Sequence, residues 1–162
     1  MLKTESWITV ELPPEEAFQS LTKIISAGKY IFLGYTSPGP AGGRSPAKGL
    51  DIVAFGENGP MERDVDIPGR ILEYDEAGFV LAFEFDHLCF YDENYQSFFF
   101  RNRKNRYQFK VKGSHDKASS TISIEISVKS SLFSKVHPDT LLARVLENLQ
   151  RNLFSSVLKN KK

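Results

Sequence analysis

The chain has 162 residues, enough for one domain with a substantial core, and its hydrophobic (41%) and charged (25%) fractions are those of an ordinary globular protein. A net charge of +1 supplies no global attraction to nucleic acid or to an anionic membrane, and no apolar run reaches membrane-spanning length. One cysteine, Cys89, excludes an internal disulfide, and MLKTESWITVEL has no apolar core of a signal peptide, so a cytoplasmic protein is expected.

The elements follow from hydrophobic period. Ser6 to Leu12 alternates, with Ile8, Val10 and Leu12 on one face and Trp7, Thr9 and Glu11 on the other, which predicts a strand with one buried face. Pro13-Pro14 stops it and starts a helix whose first turn holds Glu15 and Glu16. Ala17, Phe18, Leu21, Ile24 and Ile25 give that helix an apolar face, and Gly28 ends it. Lys29 to Gly34 fits a short helix or a short strand. Thr36 to Gly49 (TSPGPAGGRSPAKG) is a loop, either a lid or an inert surface segment.

Leu50 to Phe55 is the next predicted strand, and Glu57 to Pro60 a turn. Arg63 to Tyr74 is extended, with a break or bulge expected at Pro68-Gly69. Asp75 to Gly78 is a turn. Phe79 to Asp86 then sets Phe79, Leu81, Phe83 and Phe85 against Val80, Ala82, Glu84 and Asp86. His87 to Gln96 reads as irregular, and Ser97 to Lys112 as one strand or two interrupted ones. Gly113 to Ser120 is a polar hairpin loop. Thr121 to Lys129 sets Ile122, Ile124, Ile126 and Val128 against polar neighbours. Such one-sided alternation predicts an antiparallel sheet with one wet face.

The longest helical pattern is Asp139 to Lys159. Leu142, Val145, Leu146, Leu149, Leu153 and Val157 share one face, Pro138 lies at or just before the first turn, and Asp139 or Thr140 can cap it. Its apolar stripe needs an apolar partner, and the sheet supplies one. The expected fold class is therefore α+β: a curved antiparallel sheet wrapped around a long C-terminal helix, with a short N-terminal helical segment, in one domain spanning 1–162.

This order resembles the START-like (SRPBCC) superfamily, the helix-grip fold of plant pathogenesis-related allergens and polyketide cyclase/dehydrase-like proteins. Ile8 to Phe18 (ITVELPPEEAF) looks like the family's opening strand and proline-started helix. Pro38 to Gly49 looks like its glycine-rich loop, Gly69 to Phe85 (GRILEYDEAGFVLAFEF) like its central hairpin, and Leu141 to Lys159 like its closing helix. The match is one of hydrophobicity and turns across nearly the whole chain, without a catalytic signature. The resemblance implies a deep apolar cavity for lipids, sterols, polyketides or other aromatic molecules.

The expected lining combines Phe55, Leu81, Phe83, Phe85, Tyr107, Phe109, Ile124 and Ile126 from the sheet with Leu146, Leu149 and Leu153 from the helix. These side chains either border a cavity or fill it themselves; the resemblance favours the cavity. His87, Tyr91, Tyr107 and Arg101 are the polar groups expected to orient a ligand. His87, Cys89, Tyr91 and Asp92 bring reactive types together, but one cysteine cannot build a zinc site, and a buried structural Cys is the simpler reading. No metal or cofactor is expected. His115 belongs in a solvated loop, and His137 just before the last helix. Asp64, Asp66, Glu73, Asp75, Glu84 and Asp86 belong to the wet face. The run RNRKNR (Arg101 to Arg106) beside Phe98 to Phe100 could stack bases, but alternation splits its charges between two faces, and no nucleic-acid partner is expected. The expected partner is a hydrophobic small molecule, without integral membrane association; a homodimer is left open. Two other functions remain: a polyketide cyclase/dehydratase-like enzyme using the same cavity, and a protein-interaction module related to co-chaperones with a filled core.

Overall fold

The computed structural model describes residues 2–26, 30–32, 35–36, 48–49, 51–56, 65–85, 88–91, 97–100, 104–129, 138–150 and 154. In chain order these form β1 (Leu2–Val10), α1 (Pro14–Ser26), β2 (Tyr30–Phe32), β3 (Tyr35–Thr36), β4 (Asp51–Gly56), β5 (Val65–Asp75), β6 (Val80–Phe85), β7 (Leu88–Tyr91), β8 (Ser97–Phe100), β9 (Asn105–Gly113), β10 (Ser120–Val128) and α2 (Pro138–Asn148). All pairings are antiparallel. One sheet has eight strands in the order β1-β10-β9-β6-β5-β4-β3-β2; β7 and β8 form a second sheet of two.

The large sheet is curved. Its terminal strands, β1 and β2, both contact α2, as does β10. Seven strand spacings laid flat would separate the ends by about 34 Å, whereas eleven helical residues extend only about 16 Å. Both ends reach one short helix only if the sheet bends towards it. On the inner side, Ile8, Val10, Ile71, Leu81, Phe83, Phe85, Tyr107, Phe109, Val111, Ile122, Ile124, Ile126 and Val128 join Leu142 and Val145 of α2, and Leu149 just after it, in one core.

The helix α1 closes one end. It begins at Pro14, where the Ala17 N–H donates to the Pro13 carbonyl at 3.0 Å. Its Phe18 ring lies 5.6 Å from Tyr74 and 5.7 Å from Phe79, on the two sides of the β5–β6 turn. In that turn the Asp75 carboxylate accepts the Ala77 and Gly78 N–H groups at 3.1 and 2.9 Å. The Ser120 hydroxyl donates to the Leu12 carbonyl at 2.7 Å, tying the β1–α1 connection to β10.

Several expectations are corrected. The strand β5 runs straight through Pro68-Gly69, and its register shift lies between Ile71 and Glu73. Pro68 faces Val53 of β4, while pairing with β6 begins at Gly69↔Phe85, so the missing N–H falls at the limit of the β5–β6 ladder. Gly69 is required for another reason: a Cβ there would run into the Glu84 carbonyl and the Phe85 ring. Within the segment expected to be irregular, Leu88 to Tyr91 is a strand paired with Ser97 to Phe100. Lys29 to Gly34 contains a strand, β2. Ala82, assigned to the wet face, is fully buried; it stands between Glu73 and Gln108 on the adjoining strands.

The C-terminal helix also departs from the expected pattern. Pro138 is its first residue, so Asp139 and Thr140 lie inside the first turn rather than at the cap. After Asn148 the ladder widens: Leu149 and Gln150 adopt a π turn, and the Phe154 N–H donates to the Leu149 carbonyl at 2.9 Å. A five-residue step delivers Phe154 to the core, fully buried. Leu153, Val157 and the remainder of the expected helix to Lys159 lie outside the described residues, as do the turn at 57–60 and positions 37–47 of the expected loop.

Candidate functional site

The inner face of β6, β9 and β10 carries two rungs. Phe83 stands opposite Tyr107, which stands opposite Ile126; Leu81 stands opposite Phe109, which stands opposite Ile124. Alternation in each strand turns these six to the same side, and all are buried. Phe85 extends the wall by one rung. The Phe83 ring stacks on Tyr107 (centroids 5.5 Å apart, planes 25°) and on Phe109 (6.0 Å, 23°), and meets Phe85 edge-on at 5.6 Å. Leu149, just after α2, is buried in the same core, and Leu146 of α2 packs against it half-buried. The structure therefore brings together nine of the side chains expected to line the interior.

The others fall differently. His87, Arg101 and Leu153 lie outside the described residues, as do Asp92 and His137. Phe55 is placed by backbone register in β4, opposite Thr36 and Asp66. Tyr91 belongs to β7 in the smaller sheet, opposite Ser97, and Cys89 lies opposite Phe99. His115 is exposed in the β9–β10 turn.

The wall has a polar end. Along β9 the inward positions run Asn105, Tyr107, Phe109 and Val111, so two hydrogen-bonding side chains are followed by two apolar ones. Asn105 is 2% exposed, and its Nδ2 donates to the Phe85 carbonyl at 3.4 Å. Burial removes water from the Tyr107 hydroxyl and drives its pKa well above the usual 10.0, so the group stays protonated and can donate. Sequence reading missed Asn105 because it sits in the charged run RNRKNR. The signal was present: extending the parity of Tyr107, Phe109 and Val111 back by two residues reaches it. Phe154 was missed because the expected stripe follows a uniform ladder, whereas a five-residue step leads from Leu149 to Phe154.

The outer face is charged. Glu84 lies 3.6 Å from Lys104 Nζ and 4.0 Å from Arg70 Nε, while Glu73 and Asp75 are exposed. Arg106 stands opposite Glu84 with its Nε buried and without a hydrogen-bond partner. A shallow depression of about 90 Å³, lined by Glu5, Gln108, Lys110, Ser123, Ile124 and Glu125, lies on this side of the sheet, away from the aromatic wall. Among the described residues no group of three His, Cys, Asp or Glu side chains is arranged to hold a metal ion, and no helix is long and apolar enough to cross a membrane.

No family model and no curated protein matches the chain. Solved structures do. A START superfamily protein from Mycobacterium smegmatis is 13% identical, with 96% of each chain covered and a TM-score of 0.58. Ara h 8.0201 is 14% identical over 94% of this chain and 92% of its own, with a TM-score of 0.56. The di-domain ARO/CYC protein BexL, from the BE-7585A biosynthetic pathway, is 11% identical; the match takes 93% of this chain and 47% of BexL, with a TM-score of 0.56. At such identities the likeness is one of backbone arrangement, and in that arrangement the chain has the START-like fold.

Proposed function

We propose that residues 1–162 act as one domain that binds a hydrophobic or amphipathic small molecule, of lipid, polyketide or aromatic class, between the sheet and the C-terminal helix. The observation that carries this reading is the amphipathic inner wall: Phe83 stacked on Tyr107 and Phe109, with buried Asn105 one rung beyond Tyr107. Apolar burial supplies affinity for such a ligand, and one or two hydrogen bonds set its orientation. His87, Tyr91 and Arg101 complete the proposed lining. Native mass spectrometry of freshly purified protein, followed by organic extraction, tests the proposal. It expects a bound amphiphile or aromatic compound. A clean apo mass, together with no uptake of an added fatty acid or aromatic probe, removes it and leaves an interaction module with a filled core.

A cyclase-like use of the same wall draws on Tyr107. A hydroxyl whose ionisation is suppressed donates a hydrogen bond to a carbonyl oxygen and does not act as a base. That reading expects turnover of a polyketide-like substrate that is lost in Tyr107→Phe; unchanged turnover takes Tyr107 out of the chemistry.

A further inference from the structure

The strand β1 terminates the sheet order, so among the described residues one of its edges has no strand beside it. It is nine residues long and pairs with β10 in unbroken register from Leu2↔Val128 to Val10↔Ser120. Natural sheets guard such an edge with a bulge, a proline, a very short strand, charged side chains or a covering segment, of which β1 carries the charges, Lys3 and Glu5. Here the strand is long, regular and free of proline and glycine. Burial is confined to its far end, at Ile8 and Val10. Lys3 and Glu5 are exposed, and so are two large apolar side chains, Leu2 at 40% and Trp7 at 60%.

The open half is complementary to itself. Residues directly opposite in an antiparallel pair share a face, so a two-fold axis through Thr4 fixes every partner. Leu2 meets the partner's Ser6, Lys3 meets the partner's Glu5, and Thr4 meets the partner's Thr4. Symmetry makes the lysine–glutamate contact twice. It also answers a defect within one chain. Glu5 stands directly opposite Glu125, a like-charge pair. Lys3 Nζ lies 3.3 Å from Glu125 Oε1 and serves that carboxylate, whereas Glu5 makes no ion pair with any described residue. Trp7 falls diagonal to the partner's Lys3 and can cover its methylene stem. An axis through Glu5 would oppose the glutamate to itself, and one through Ser6 would draw the buried end of the strand into the contact.

We propose that two copies of this chain join edge to edge through Leu2 to Ser6 of β1, antiparallel about an axis at Thr4, so that one sheet runs through both. Sedimentation velocity on the full chain tests it. The unmodified protein is expected to sediment as a dimer at micromolar concentration. Glu5→Lys removes the Glu5–Glu125 repulsion inside the chain but opposes two cations across the axis. Its dimer should dissociate at least about tenfold more readily, while its thermal midpoint stays level or rises. The reversal Lys3→Glu/Glu5→Lys restores opposite charges across the axis and should restore the dimer. A monomeric unmodified protein overturns the proposal. So does a dimer indifferent to Glu5→Lys, or one that the double reversal fails to recover.

Discussion

Among the described residues two non-glycine residues adopt left-handed backbone, Phe79 (φ 57°) and Lys117 (φ 58°), and the same angle has opposite consequences. Lys117 is exposed in the β9–β10 turn, so no burial of its side chain offsets a strain of roughly 1–2 kcal/mol. Lys117→Gly should stabilise the protein by up to ~1 kcal/mol after the added backbone freedom of glycine is counted, read from the urea midpoint. Phe79 is half-buried, its ring packs against Phe18, and its carbonyl accepts the Val111 N–H at 3.0 Å. Phe79→Gly relieves the same angle but loses the ring, and should destabilise by ~1–3 kcal/mol. Tyr107 gives a pH prediction. Its folded pKa is raised above the unfolded value near 10, so above pH 10 the unfolded chain releases a proton that the native state keeps. Stability then falls with rising pH, by about 1.4 kcal/mol per unit from this group alone. Below pH 10 the group contributes no slope. Tyr107→Phe should flatten the alkaline limb of a stability–pH curve by that amount; identical limbs for the two proteins would show that Tyr107 titrates as an exposed phenol.

Among the elements, the strands were the most legible in the sequence, because a period of two has no room for drift. Ile122, Ile124, Ile126 and Val128 were assigned inward by parity, and all four are buried. Parity failed at Ala82 and at Ser127, both buried on the outer side, because burial of a small side chain depends on how far its neighbours reach. The helix α2 was legible for three turns and then not. Leu142, Val145 and Leu149 follow the expected stripe, but a single π turn advances the register by one residue, and side-chain hydrophobicity does not encode where a backbone ladder widens. Leu149 holds both features, a buried side chain and the carbonyl that accepts Phe154. Leu149→Ala should cost ~2–5 kcal/mol and Phe154→Ala ~3–5 kcal/mol by denaturant titration. If Phe154→Ala proves neutral, the π turn does not place that ring in the core, and the uniform ladder is restored.

In the whole molecule, the wall is assembled from β6, β9 and β10, and the sheet gains its last strand only when β1, at the start of the chain, pairs with β10 more than a hundred residues later. Which residues face inward was readable because facing is local. Whether they leave room was not, since an interior volume is the difference between the space under a curved sheet and the side chains that occupy it. The same limit separates the binding proposal from a filled core, and Phe83 is where the two part. Its ring touches Phe85, Tyr107 and Phe109 at the centre of the wall. In a core packed to native density, Phe83→Trp must push these rings aside and should destabilise by ~1–3 kcal/mol, without changing what the protein carries. With a ligand space between the wall and α2, the larger indole grows into that space. Stability should then stay within ~0.5 kcal/mol of the parent while ligand occupancy in native mass spectra drops. Denaturant midpoint and bound mass, measured on the same preparation, therefore move in opposite patterns, and a stability loss with unchanged occupancy would withdraw the interior as the binding site.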